Sequence, residues 1–168
     1  MKSDELEELL VSLGRQISEI RFKEMPDPEI LELICEKNER LRIHLSLETP
    51  LRLGELQDSW CTHVVSANLQ SDGLSDWAEI HYFASLKELE LSVTWRSDGE
   101  LDYRDVDAMR LALLNLPELR HLLIDTRKVG ARIADQIDRL LVFPGSQIVL
   151  SHRTKRRMKS RQSGTALD

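Results

Sequence analysis

The sequence predicts an α/β fold in the form of a short right-handed solenoid, with a parallel sheet on the concave side and helices on the convex side. Three observations carry this reading. First, one segment is written twice. Phe83-Ala-Ser-Leu86-Lys-Glu-Leu89-Glu-Leu91-Ser aligns with Leu116-Pro-Glu-Leu119-Arg-His-Leu122-Leu-Ile124-Asp at an offset of 33 residues, and each copy ends in L-x-x-L-x-L. Self-similarity at such a period marks a stacked repeat architecture. Second, helix-period and strand-period segments alternate along the chain, which demands parallel pairing through crossovers. Third, the strands have one apolar face and carry Arg21, Glu88, Glu90 and Arg120 on the other. A doubly wound sheet, covered by helices on both sides, would be apolar on both faces.

In chain order, Leu6, Leu9, Leu10 and Leu13 recur at helical spacing behind Ser3 and Asp4, either of which can cap the helix, and Gly14 ends it. Ile17-x-x-Ile20-x-Phe22 repeats the core spacing and reads as a strand. After the turn Met25-Pro-Asp-Pro, Pro28 opens an amphipathic helix running to Lys37. Leu41 to Leu47 alternates strictly, as a half-buried strand does. Leu51, Leu53 and Leu56 fit a short helix. Trp60-x-x-His63-x-Val65-x-x-Asn68 reads as a degenerate copy of the repeat. Gly73 to Phe83 reads as a helix capped by Ser75, delivering the chain into the Leu86 strand. A polar loop turning at Asp98-Gly99 leads to a helix capped by Asp105. The Leu119 strand, a helix over 129–141, a turn at Phe143-Pro-Gly145 and a strand over 147–150 complete the body.

Composition sets bounds on what such a body does. A chain of 168 residues, 41% hydrophobic and 31% charged, fits one soluble domain over 1–152, with its capping helix at about 1–14. No apolar run approaches the length of a membrane span. The first residues are acidic where a targeting signal would be basic. An intracellular setting, cytoplasmic or nuclear, follows as the expectation. Cys35 and Cys61 then read as free buried thiols. Charge is uneven. Residues 153–168 hold Arg153, Lys155, Arg156, Arg157, Lys159 and Arg161 against Asp168, about +5, which leaves the body at about −11. Nucleic acid could therefore be attracted only through this tail, which lacks apolar periodicity and is expected to be disordered. Lys155-Arg-Arg-Met-Lys159 also fits a basic import pattern.

The L-x-x-L-x-L copies at Leu86–Leu91 and Leu119–Ile124, with the related spacings at Ile17–Phe22 and Trp60–Asn68, resemble the irregular, ribonuclease-inhibitor-like branch of the leucine-rich repeats over residues 13–152. In that family an asparagine at the place of Asn68 hydrogen-bonds the turn after the strand. The resemblance implies a protein partner held on the concave face, as in the substrate-receptor halves of F-box adaptors. The L-P-x-E segment of an F-box is absent from the first residues. The resemblance implies no catalytic, cofactor or metal residues.

The residues themselves agree with that silence on chemistry. The histidines at 44, 63, 81, 121 and 152 are scattered, none in an i, i+4 pair with another ligand. Cys61-Thr-His63 would share one face of a strand, but two ligands do not make a zinc site. Glu100, Asp102, Asp105 and Asp107 lack the spacing of a calcium loop and read as capping plus a solvated loop. No phosphate-cradling or nucleophile-elbow motif occurs. A regulatory STAS-like domain, suggested by Leu122-Leu-Ile124-Asp125 before a helix, and an enzyme without a recognisable motif are the alternatives.

In L-x-x-L-x-L the residue between the last two apolar positions points out of the concave face. This places Arg21, Glu90, Leu123 and Val149 in a ladder, with Val64 added by the degenerate copy. His121 and Asp125 flank Leu123. Leu123 and Val149, about 5 Å apart on neighbouring strands, form an apolar centre with a polar rim, the expected partner-binding site. The alternative is that the C-terminal segment folds back over them.

Overall fold

The computed structural model describes residues 17–52, 59–71, 76–94 and 103–154. The chain order is β1 (Glu19–Phe22), α1 (Pro28–Lys37), β2 (Arg42–Leu45), β3 (Leu51–Arg52), a 3-10 helix (Ser59–His63), β4 (Val64–Ser71), a second 3-10 helix (Asp76–Tyr82), β5 (Glu88–Val93), α2 (Tyr103–Leu114), β6 (His121–Asp125), α3 (Ala131–Leu140) and β7 (Val149–Arg153). The fold is α/β. Its parallel sheet runs β1-β2-β4-β5-β6-β7 in the order of the chain, and the short β3 also pairs with β4. The expected helix over 3–13 and the turn at Asp98-Gly99 lie outside the described residues.

The register stacks apolar side chains in rows. Phe22, Leu45, Ala67, Leu89, Leu122 and Leu150 face one another across six strands, and Leu51, Leu69, Leu91 and Ile124 form the next row. Leu89, Leu91, Leu122 and Ile124 are each at most 2% exposed. Burial therefore falls on the residues at which the two copies agree. Leu31 and Ile34 of α1, Val106, Met109 and Leu113 of α2, and Ala134 and Ile137 of α3 join these rows in one core. The helices cover this face of the sheet. On the opposite face most side chains are exposed or half-buried.

The 33-residue correspondence extends into the backbone. Phe83 N–H donates to the Ile80 carbonyl at 3.1 Å and Leu86 N–H to the Phe83 carbonyl at 3.1 Å. In the second copy Leu116 donates to Leu113 at 3.2 Å and Leu119 to Leu116 at 3.4 Å. Both approaches to a strand are thus wound with i to i+3 bonds. Trp77, Ile80, Phe83 and Leu86 are buried at intervals of three, the period of a 3-10 helix. The helix expected over 73–83 is present as the 3-10 helix Asp76–Tyr82, and its expected cap, Ser75, lies outside the described residues.

Local chemistry sets most element ends. Asp27 caps α1, its carboxylate accepting from Glu29 N–H at 3.0 Å, with Pro28 at the first helical position. Asn38 follows α1 and donates to the Ile17 carbonyl at 2.8 Å, tying the helix exit to the approach to β1. Gly145 turns the chain at φ +73°, a backbone conformation open to glycine at little cost. Other boundaries differ from expectation. α2 begins at Tyr103, so Asp105 lies in its first turn and is not its cap. Leu51 and Arg52 form β3 against Leu69 and Gln70, where Asn68 holds the Leu47 backbone beside β4; Leu53 and Leu56 of the expected short helix lie outside the described residues. β7 runs through Arg153, one residue past the expected domain boundary.

Candidate functional site

The uncovered face of the sheet is lined by alternate residues of each strand. Pairing places Arg21, His44, Ser66, Glu88, His121 and Val149 in one row across it. Asn68, Glu90, Leu123 and Ser151 form the second row, and Gln70, Ser92, Asp125 and Arg153 the third. An open groove of about 810 Å³ runs over β4 to β7 and is bordered by the loops after β2 and β6.

All six residues read from the sequence as partner-binding lie on this face; His121 and Asp125 flank Leu123 as expected, while the four expected in one ladder fall in two rows. Glu90 and Leu123 are direct neighbours. Arg21 and Val149 are one pleat nearer the strand N-termini, in the row of His121. Val149 faces His121 and Leu123 faces Ser151, so Leu123 and Val149 are diagonal neighbours and not the opposed pair expected. Val149 is 58% exposed and Leu123 half-buried. Val64 is fully buried in the core. The aligned copy in β4 is Cys61-x-x-Val64-x-x-Ala67-x-Leu69, four residues later than the spacing Trp60-His63-Val65 suggests. Likewise Phe22 shares the row of Leu89, not that of Leu91. Because Asn68 lies inside β4 and not in the turn after it, its amide spans to the preceding connection. It donates to the Leu47 carbonyl and accepts from Leu47 N–H at 3.2 Å.

Asp125 was read as a residue for a partner to touch, but it is satisfied within the chain. Its side chain is 7% exposed. Arg127 approaches it with Nε at 2.9 and 3.0 Å from the two oxygens and Nη2 at 2.6 Å. Arg127 N–H adds a 3.0 Å bond. The Arg127 side chain holds the Asp125 carboxyl below its ordinary value, outweighing the opposing effect of burial, and the bonded carboxylate raises the guanidinium in turn. Arg153 bridges Glu90 and Asp125, bonded to the first and 3.7 Å from the second. The sequence offered only the alternation of β7 as a signal for this bridge, and the strand was expected to stop short of it. Glu48, Glu88 and Lys128 also line the groove and have no side-chain partner among the described residues.

The remaining candidates are dispersed. Cys35 and Cys61 are buried thiols outside any disulfide, and burial, with Glu32 nearby, pushes the Cys35 thiol up to about 11. Cys61 and His63 share a 3-10 helix, not a strand face, and His63 Nδ1 lies 3.2 Å from the Leu41 carbonyl oxygen. Asp107 pairs with Arg110 at 2.6 Å, and the other half of that acidic cluster, Glu100 and Asp102, lies outside the described residues. Among the described residues no group of three His, Cys, Asp or Glu side chains could hold a metal ion, and no helix is long and apolar enough to cross a membrane.

Compared with protein-family models, curated proteins and solved structures, the chain matches none.

Proposed function

We propose that this chain is a protein-interaction scaffold, a short solenoid of the leucine-rich-repeat type that binds a partner protein on the open face of its sheet. The observation that carries the reading is the uncovered face itself. Leu123 and Val149 lie on it among His121, Glu90 and Ser151, an apolar centre with a polar rim. Strand order supports a face and not an edge as the site. Open α/β sheets hold small ligands where strand order reverses, and here it follows the chain from β1 to β7. An adaptor or substrate-recognition role fits such a scaffold, within a cell and without cofactor or catalytic residue.

Affinity capture with mass spectrometry tests this, using wild type, Leu123→Glu and Leu111→Glu. Leu111 is 53% exposed on α2, which packs on the covered side. A specific partner should be retained by Leu111→Glu and lost by Leu123→Glu, with circular dichroism unchanged in both. Retention by Leu123→Glu, or equal loss in both variants, would place binding elsewhere.

A further inference from the structure

The sheet has two lateral edges, and they are not equally guarded. Along β7, Val149 N–H donates to the Arg120 carbonyl at 2.7 Å, and the Arg153 carbonyl accepts from Thr126 N–H at 3.0 Å. In a parallel ladder both backbone groups of one residue point to one side and those of the next residue to the other. Val149, Ser151 and Arg153 therefore bond β6, while the N–H and C=O groups of Leu150 and His152 point outward. Those outward groups have no partner among the described residues. Edges are ordinarily shielded by charged side chains, proline or a bulge. β7 contains no proline and pairs with β6 without a register shift. Both its basic side chains turn inward, His152 to Asp138 of α3 at 2.7 Å and Arg153 across β6 to Glu90. The apolar rows also stop short there. Leu150 is half-buried, where Leu89 and Leu122 of the same row are at most 2% exposed, and Val149 is 58% exposed. At the opposite edge the outward backbone groups belong to Glu19 and Arg21, both exposed and charged.

We infer that the outer edge of β7 is a docking site of its own, which takes an extended segment of a partner protein as a further parallel strand. The backbone groups dictate the occupant. Donors and acceptors two residues apart along a strand are matched by another extended backbone, and not by a helix, whose groups are already bonded to one another. The side-chain rows dictate its sequence. On the inner side of β7, Leu122 faces Leu150 and Asp125 faces Arg153. Residues 149–154 hold no acid that could meet a cation. The segment that fits the outer side is of the same kind, a large apolar residue opposite Leu150 followed three residues later by a carboxylate opposite Arg153. The edge adjoins the open face but is separate from it, and its test contains no natural partner, so this inference and the interaction reading above can fail independently.

The probe is a synthetic peptide of residues 118–126, which carries the β6 pattern, added to the intact chain while amide exchange is followed by NMR. In the free chain the Leu150 and His152 amides should exchange as unbonded groups. Excess peptide should slow them by about fivefold or more, as mass action gives once the peptide exceeds its Kd severalfold. The outward amides of Glu19 and Arg21 should not change. With Leu122 of the peptide opposite Leu150, the peptide donors that face β7 are those of Leu123 and Asp125. N-methylation at these two should abolish the effect, and N-methylation at Leu122 and Ile124, which face away, should leave it. Protection of Leu150 and His152 in the free chain would show an edge already occupied and would overturn the inference. So would the absence of slowing, equal slowing at Glu19 and Arg21, or equal effects of the two methylation patterns.

Discussion

Asp125 shows how the open face is built at the level of single side chains. A carboxylate at the end of a strand, flanking an exposed apolar residue, reads from sequence as a contact for a partner. Two residues later Arg127 folds back on it, and across the sheet Arg153 approaches from β7. Nothing in the local pattern distinguishes these two arginines from solvated ones, so the pairing was illegible. It has a consequence for acid stability. The folded-state carboxyl titrates below its ordinary value of 3.8. The stability it contributes is therefore fully present above the unfolded-state pKa and is lost as pH falls through the folded-state value. In urea titrations from pH 6 down to pH 2, wild type should exceed Asp125→Asn most clearly above about pH 4, and the two curves should converge at the acid end. A constant gap over the whole range would mean that Asp125 contributes through shape and not through charge.

At the scale of elements, legibility followed the size and regularity of the buried side chains. The strands holding Leu89, Leu91, Leu122 and Ile124 were readable because two clean copies reinforce one another. In β4 the same rows are filled by Val64, Ala67 and Leu69, and the small Ala67 gives too little signal to fix the phase beside Trp60 and Val65. Helix Asp76–Tyr82 was legible as a helix but not as a 3-10 helix, because periods of 3.0 and 3.6 differ little over seven residues. The charged ladder was divided by the same phase errors, since a strand displaced by one pleat moves its outward residues into another row. The core rows make a quantitative claim. Leu122 is 1% exposed between Leu89 and Leu150, so Leu122→Ala should cost about 2–5 kcal/mol through lost burial and a residual cavity. Leu111→Ala, on the exposed side of α2, should stay within about 0.5 kcal/mol. Denaturant midpoints for the two variants decide it, and comparable losses would show that the rows are not the centre of the fold.

For the molecule as a whole, the decisive property is that, apart from the short β3 on β4, each strand of the main path is bonded only to its neighbours in the chain-ordered series. Such an arrangement has two ends, and stability is distributed from the middle outward. β5 lies between β4 and β6, and its core-facing Leu89, Leu91 and Val93 are buried to within 2%. The terminal strands are poorer. In β1 Ile20 and Phe22 are half-buried, and in β7 Leu150 is half-buried while His152, in the row of Ile124, is exposed. The side chain of His152 meets Asp138 of α3 at 2.7 Å, a polar closure where the inner strands continue with leucine or isoleucine. Opening β7 therefore exposes little apolar surface, whereas opening β5 breaks two ladders and the rows that cross it. Native-state hydrogen exchange should show amides of β4, β5 and β6 exchanging only through global unfolding. Those of β7 should exchange through a smaller opening with weak denaturant dependence, and Arg153 should lose its bridge to Glu90 in the same event. If β7 proved as protected as β5, its outer edge would have to be covered, and the picture of a sheet that simply ends there would be wrong.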